Sequence, residues 1–147
     1  MSFIVAEIPY MMETEMQMPK KISARQNEIT ADFFKELDKH ISDIANGRVD
    51  TMFEINEIAN ILNIHPRHLT NTIKLTTGKH PCFYFEERIL MVAKQMLSEN
   101  RMSIASIAKL LTYDPSNFTK FFKRYTGQTP KQFREEALSK KTEHFTI

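Results

Sequence analysis

The sequence contains no tryptophan, only three glycines and a single cysteine. Each scarcity excludes something. Cys82 has no partner for an internal disulfide, which fits a reducing cytoplasm. No run of about 18 apolar residues occurs, so no membrane span is expected. The opening residues Met1 to Glu7 lack the basic start and long apolar region of a secretory signal. Scarce glycine among good helix formers points to an all-α protein. At 147 residues there is room for one domain or two very small ones.

Charge is close to balanced overall but lopsided along the chain. Residues 1–60 hold six Lys/Arg against eleven Asp/Glu, a net −5, and residues 61–147 hold fourteen against seven, a net +7. The basic second part suggests a polyanionic partner.

Apolar spacing and punctuation residues divide the chain. Residues 1–28, rich in Met with Pro9 and Pro19, read as an N-terminal arm that is flexible or ordered by a partner. Phe3-Ile4-Val5 there is a candidate short strand or contact. Thr30 reads as the cap of a helix from about 31 to 45, with Phe33, Phe34, Leu37, Ile41 and Ile44 on one face and Asn46-Gly47 as its stop. His40 beside that stripe reads as a packed or surface histidine. A first helix-turn-helix is expected over 54–78, with a turn at Asn63-Ile64-His65, a start at Pro66 and a stop at Gly78. A longer helix follows over 81–99. A second helix-turn-helix occupies 103–127, in which Asp114 caps, Pro115 starts and Gly127 stops a helix with Phe118, Phe121, Phe122 and Tyr125 as its apolar stripe. A last helix runs from Lys131 to about Leu138, and 139–147 reads as a fraying tail.

A shift of 49 positions superposes the two helix-turn-helix regions without a gap. Ile55, Ile58, Ala59, Leu62, Pro66, Thr70, Lys74, Thr77, Gly78 and Pro81 fall on identical residues at 104, 107, 108, 111, 115, 119, 123, 126, 127 and 130. Chance does not readily align so much punctuation, so the chain carries two copies of one unit joined by helix 81–99. That joining helix is about 28 Å long at 1.5 Å per residue. Helix-turn-helix dimers hold their reading helices about 34 Å apart, one DNA turn. One chain can therefore do what a dimer does, reading two successive major-groove segments. The copies differ in their polar residues, so the target need not be palindromic.

Ile107-Ala108, the run Phe118 to Pro130 and Phe133-Arg134 together resemble the C-terminal signature of the AraC/XylS family of bacterial transcription regulators. The resemblance covers about residues 30–138. It implies a seven-helix, homeodomain-like domain over 29–138 that binds double-stranded promoter DNA and often contacts RNA polymerase. The family usually has Gly-Phe at the turn of the second unit. Leu111-Thr112 stands there instead, which predicts a differently built turn. Many members also carry a large effector-binding domain ahead of this one. Residues 1–28 are too few to make it, so the sequence gives no basis for a small-molecule inducer; no cofactor is expected.

Base contacts are expected from Arg67, His68, Thr70 and Asn71 in the first unit and from Ser116, Asn117 and Lys120 in the second. All lie off the apolar stripes, and Arg and Asn suit guanine and adenine edges. Lys74, Lys79, Thr119, Lys123, Arg124 and Lys131 are the expected phosphate or sugar contacts, which position without reading sequence. Catalysis is the competing reading. Cys82 and His80 are near one another, but no base and orienting group accompany them, and Cys82 reads as a small packed residue. His65, His68 and one cysteine lack zinc-ligand spacing. A third reading makes the chain an interaction module that binds a protein partner through its acidic first third, and the N-terminal arm, with Phe3-Ile4-Val5 and its methionines, is separately a candidate for self-association or partner docking.

Overall fold

The computed structural model describes residues 22–145, with side chains to Thr142. Among them every regular element is an α-helix: α1 (Ala24–Ala45), α2 (Ile55–Ile61), α3 (Pro66–Thr77), α4 (Pro81–Glu99), α5 (Ile104–Leu110), α6 (Pro115–Thr126) and α7 (Pro130–Phe145). Four of the seven begin on proline. There the missing N–H is no loss, and His65, His80 and Asp114, which precede three of these prolines, are extended as proline requires. Those preceding residues are caps. His65 and His80 accept the amides of Arg67 and Cys82 through Nδ1, each at 3.1 Å, and Asp114 accepts the amide of Ser116 at 3.1 Å. Thr129 and Gln132 form a reciprocal pair at the start of α7.

The core is continuous across both units. Phe33, Leu37, Ile41 and Ile44 of α1 are buried with Ile58, Ala59, Leu69 and Ile73, and Ile107, Ala108, Leu111, Phe118, Phe121 and Phe122 with Ile89, Ala93 and Leu97 of α4. Helix α4 packs against α1 and α3 on one side and against α5 and α7 on the other. His40 is buried in this core. Its Nε2 accepts the Phe53 amide at 2.8 Å and its ring stacks on Phe53.

Several expectations change. Helix α1 starts at Ala24, where Ser23 and Gln26 form a capping box, so Thr30 is interior and the part of the supposed arm from 24 to 28 is helical. Thr30 instead donates to the Gln26 carbonyl and meets Thr76 of α3 at 2.7 Å. The reading of 29 as a domain start and of Phe3-Ile4-Val5 as a strand concerns residues that are either helical or outside those described. Helix α7 does not stop near Leu138 but continues to Phe145, and Lys141 beyond that point still reaches the Ser98 carbonyl of α4. Tyr125 leaves the apolar stripe. It is 43% exposed, and its hydroxyl donates to Glu86 on α4. Cys82 is exposed rather than packed.

The second turn is built like the first. Ile64 and Tyr113 donate to the carbonyls of Ala59 and Ala108, and Asn63 and Thr112 to those of Asn60 and Lys109. Both Asn63 (φ 57) and Thr112 (φ 70) are left-handed. Thr112 thus takes the conformation that glycine would take freely, and the turn geometry is conserved at the cost of strain.

Candidate nucleic-acid interface

Helices α3 and α6 each bury one stripe and expose the other. In α3, Leu69, Thr72 and Ile73 face inward, and in α6 Phe118, Phe121 and Phe122 do. Arg67, His68, Asn71 and Lys74 are exposed on α3, and Ser116, Asn117, Lys120, Lys123 and Arg124 on α6. These form matched sets under the 49-residue shift. Arg67 pairs with Ser116, His68 with Asn117, Asn71 with Lys120 and Lys74 with Lys123. The structure therefore puts Arg67, His68, Asn71 and Lys74 on one exposed face of α3, and Ser116, Asn117, Lys120, Lys123 and Arg124 on one exposed face of α6, whereas Lys79 and Lys131 lie beyond these helices.

Two positions are less free. Thr70 and Thr119 are half-buried, and Thr119 donates to the Pro115 carbonyl. The Ser116 hydroxyl already donates to Asp114 at 2.6 Å, leaving only its lone pairs for a base edge. Lys79 lies 4.8 Å from the Phe83 ring, and Lys131 is exposed at the start of α7.

The two faces differ electrostatically. The Ser116 hydroxyl and amide hold the Asp114 carboxyl below its usual range, so α6 begins with an anion. The cap of α3 is an imidazole accepting through Nδ1, and Arg67 and His68 follow it. Both helices carry cations in the last turn, Lys74 in α3 and Lys123 with Arg124 in α6, where they complement the helix dipole, but only α3 has a cation, Arg67, in its first turn. Both helices end alike. Gly78 and Gly127 are left-handed at φ 79 and 78. Thr77 and Thr126 donate to the Ile73 and Phe122 carbonyls and accept the amides of Lys79 and Gln128.

Sequence reading overlooked one position. The exposed Cys82 is the counterpart of Lys131, as the 49-residue shift reveals, so it belongs to the same edge of its unit. Its neighbour His80 spends Nδ1 on the Cys82 amide rather than on the thiol. A groove of about 950 Å³ between α1 and α4 is lined by Asp38, Arg88, Met91, Met96, Arg101 and Met102 among others, and by none of the candidate DNA contacts. Among the described residues no three His, Cys, Asp or Glu side chains cluster to hold a metal, and no helix is long and apolar enough to cross a membrane.

Comparison with known proteins places this geometry. A helix-turn-helix domain family matches residues 58–136, more than half of the chain. An HTH-type transcriptional regulator of Bacillus subtilis, YobQ, is 32% identical over 88 residues, covering 59% of this chain and 36% of that protein. The chain spans 15% to 36% of the length of the curated relatives it matches. A Chromobacterium violaceum transcriptional regulator with an AraC-type DNA-binding domain shares the fold at a TM-score of 0.65 and 18% identity, over 78% of this chain and 96% of that one. The DNA-binding domain of AdpA, solved with a target DNA, shares it at 0.57 and 16%, over 69% and 95%. With two matched helix-turn-helix units and a family match running from the first unit into the last helix, the chain belongs to the AraC-type helix-turn-helix family.

Proposed function

We propose that this chain is a sequence-specific regulator of transcription that reads two adjacent major-groove segments of promoter DNA, one with α3 and one with α6. One observation carries the reading: two helices with the same proline starts and glycine stops expose corresponding polar faces while burying corresponding apolar ones. Arg67, His68, Asn71, Asn117 and Lys120 are the proposed base readers, with Thr70 and Ser116 in lesser, partly committed roles. Lys74, Lys79, Thr119, Lys123, Arg124 and Lys131 hold the backbone. The DNA-binding unit comprises α1 to α7, extended at both ends relative to 29–138. RNA polymerase is the proposed further partner, and the segment before α1 is the proposed site of self-association or partner docking. The site of action is the bacterial cytoplasm, at the nucleoid.

The test is selection of bound duplexes from a random pool, followed by gel shifts across a salt series. Recovery of a bipartite site with its halves about one helical turn apart, bound with a steep salt dependence, supports the reading. Binding that ignores sequence, or no binding at low salt, overturns it.

A further inference from the structure

The corner between α4 and α5 sets how the second unit sits against the first. Helix α4 ends at Glu99, Asn100 turns at φ 55, and Ser103 already caps α5. Only Asn100, Arg101 and Met102 lie between α4 and the cap of α5. The last carbonyls of a helix also lack partners within it. Helix α7 supplies them. Arg134 donates from Nε to the Leu97 carbonyl at 3.1 Å and from Nη2 to the Met102 carbonyl at 2.6 Å. Leu97 lies on α4 and Met102 just before α5, so one guanidinium spans the corner. Lys141, about two turns further along α7, donates to the Ser98 carbonyl at 2.9 Å.

The guanidinium fork is planar and rigid, so the two carbonyls cannot separate or rotate without breaking a charged hydrogen bond. Both cations also oppose the negative end of the α4 dipole. Arg134 makes no ion pair to a carboxylate among the described residues, so its donors are committed to this corner. The first unit is held otherwise. Met102 corresponds to Phe53, whose amide is fixed by His40, and Arg134 corresponds to Phe85.

From this we infer that α7 is a strap, in which Arg134, assisted by Lys141, is a positioning residue that fixes the separation and angle of the two recognition helices. It thereby decides which spacing between the two DNA segments is accepted. The second clause rests on the proposed two-segment reading, whereas the first does not.

The test uses the full chain and two readouts. Paired spin labels at Asn56→Cys and Ala105→Cys, both exposed and at matched positions, report the separation of the units in a Cys82→Ala background without DNA. Gel shifts on the selected site, with one or two base pairs added or removed between its halves, report spacing. The wild type should give a narrow distance distribution and lose roughly tenfold or more in affinity off its spacing. Arg134→Gln should broaden the distribution and cut that loss to about threefold, leaving binding to a single half-site unchanged. Lys141→Gln, exposed and milder, should act in the same direction and stands in should Arg134→Gln fail to fold. An unchanged distance distribution in the folded variant overturns the strap. A broadened distribution with unchanged spacing preference overturns its role in DNA selection. Absence of DNA binding by the wild type strikes the two-segment reading, and the label distances still decide the strap.

Discussion

At position 112 a β-branched residue stands in the left-handed region, at φ 70, with its side chain exposed. The strain for such a residue is roughly 1–2 kcal/mol, partly offset in a glycine variant by the freer unfolded chain. Thr112→Gly should therefore raise unfolding stability by about 1 kcal/mol in urea melts, without altering the turn. Buried His40 gives a second residue-level expectation. Burial lowers its pKa below 6.5, outweighing the opposing pull of Asp43 and Glu57. Protonating Nε2 would also set it against the Phe53 N–H that it now accepts. A group with a lowered folded pKa contributes stability that is complete above its unfolded value and is lost as pH falls through the folded one. Urea midpoints should hold steady at neutral pH and fall as pH drops below about 6.5, and His40→Gln should flatten that segment of the curve. A curve equally steep in the variant would move the acid sensitivity elsewhere. The sequence marked His40 only as packed or exposed, because the group it meets, the Phe53 amide, is brought to it by a loop that carries no motif.

Among the elements, the most legible were those bounded by punctuation. The starts of α3, α4 and α6 and the stops of α3 and α6 followed from Pro66, Pro81, Pro115, Gly78 and Gly127, whose backbone preferences are local and strong. The start of α1 and the end of α7 were misjudged because they depend on contacts distant in sequence. Thr30 resembled a cap until its hydroxyl found Gln26 and Thr76, and the residues after Leu138 looked like a tail until Lys141 found Ser98. The exposed face of each recognition helix was legible from periodicity. The commitment of Ser116 to its own cap was not, since it depends on a side-chain rotamer. At this scale the reading faces make separable predictions. Arg67→Ala and Lys120→Ala should each weaken binding to the selected site by roughly 1–3 kcal/mol and relax sequence preference there. Lys123→Ala should weaken binding to every duplex alike and lower the salt slope by about one. Gel shifts over a salt series distinguish these patterns. Unchanged affinity in both Arg67→Ala and Lys120→Ala would remove them from the list of base readers.

For the whole molecule, α4 has a double membership. Under the 49-residue shift it corresponds to α7, so it closes the first unit as α7 closes the second. It also stands before α5 as α1 stands before α2. One helix thus belongs to both halves of a duplicated chain, with Ile89, Ala93 and Leu97 buried along it. Neither half can open fully while the other keeps its core intact. Backbone amides around Ile89 to Leu97 should therefore exchange with solvent deuterium only through global unfolding. Their exchange free energy should equal the unfolding free energy from urea melts, while amides near the helix ends exchange faster. Two independent exchange plateaus, one per unit, would contradict this. A duplication that could have left two separable domains should instead behave as a single cooperative folding unit, in which damage to either reading head is registered by the other.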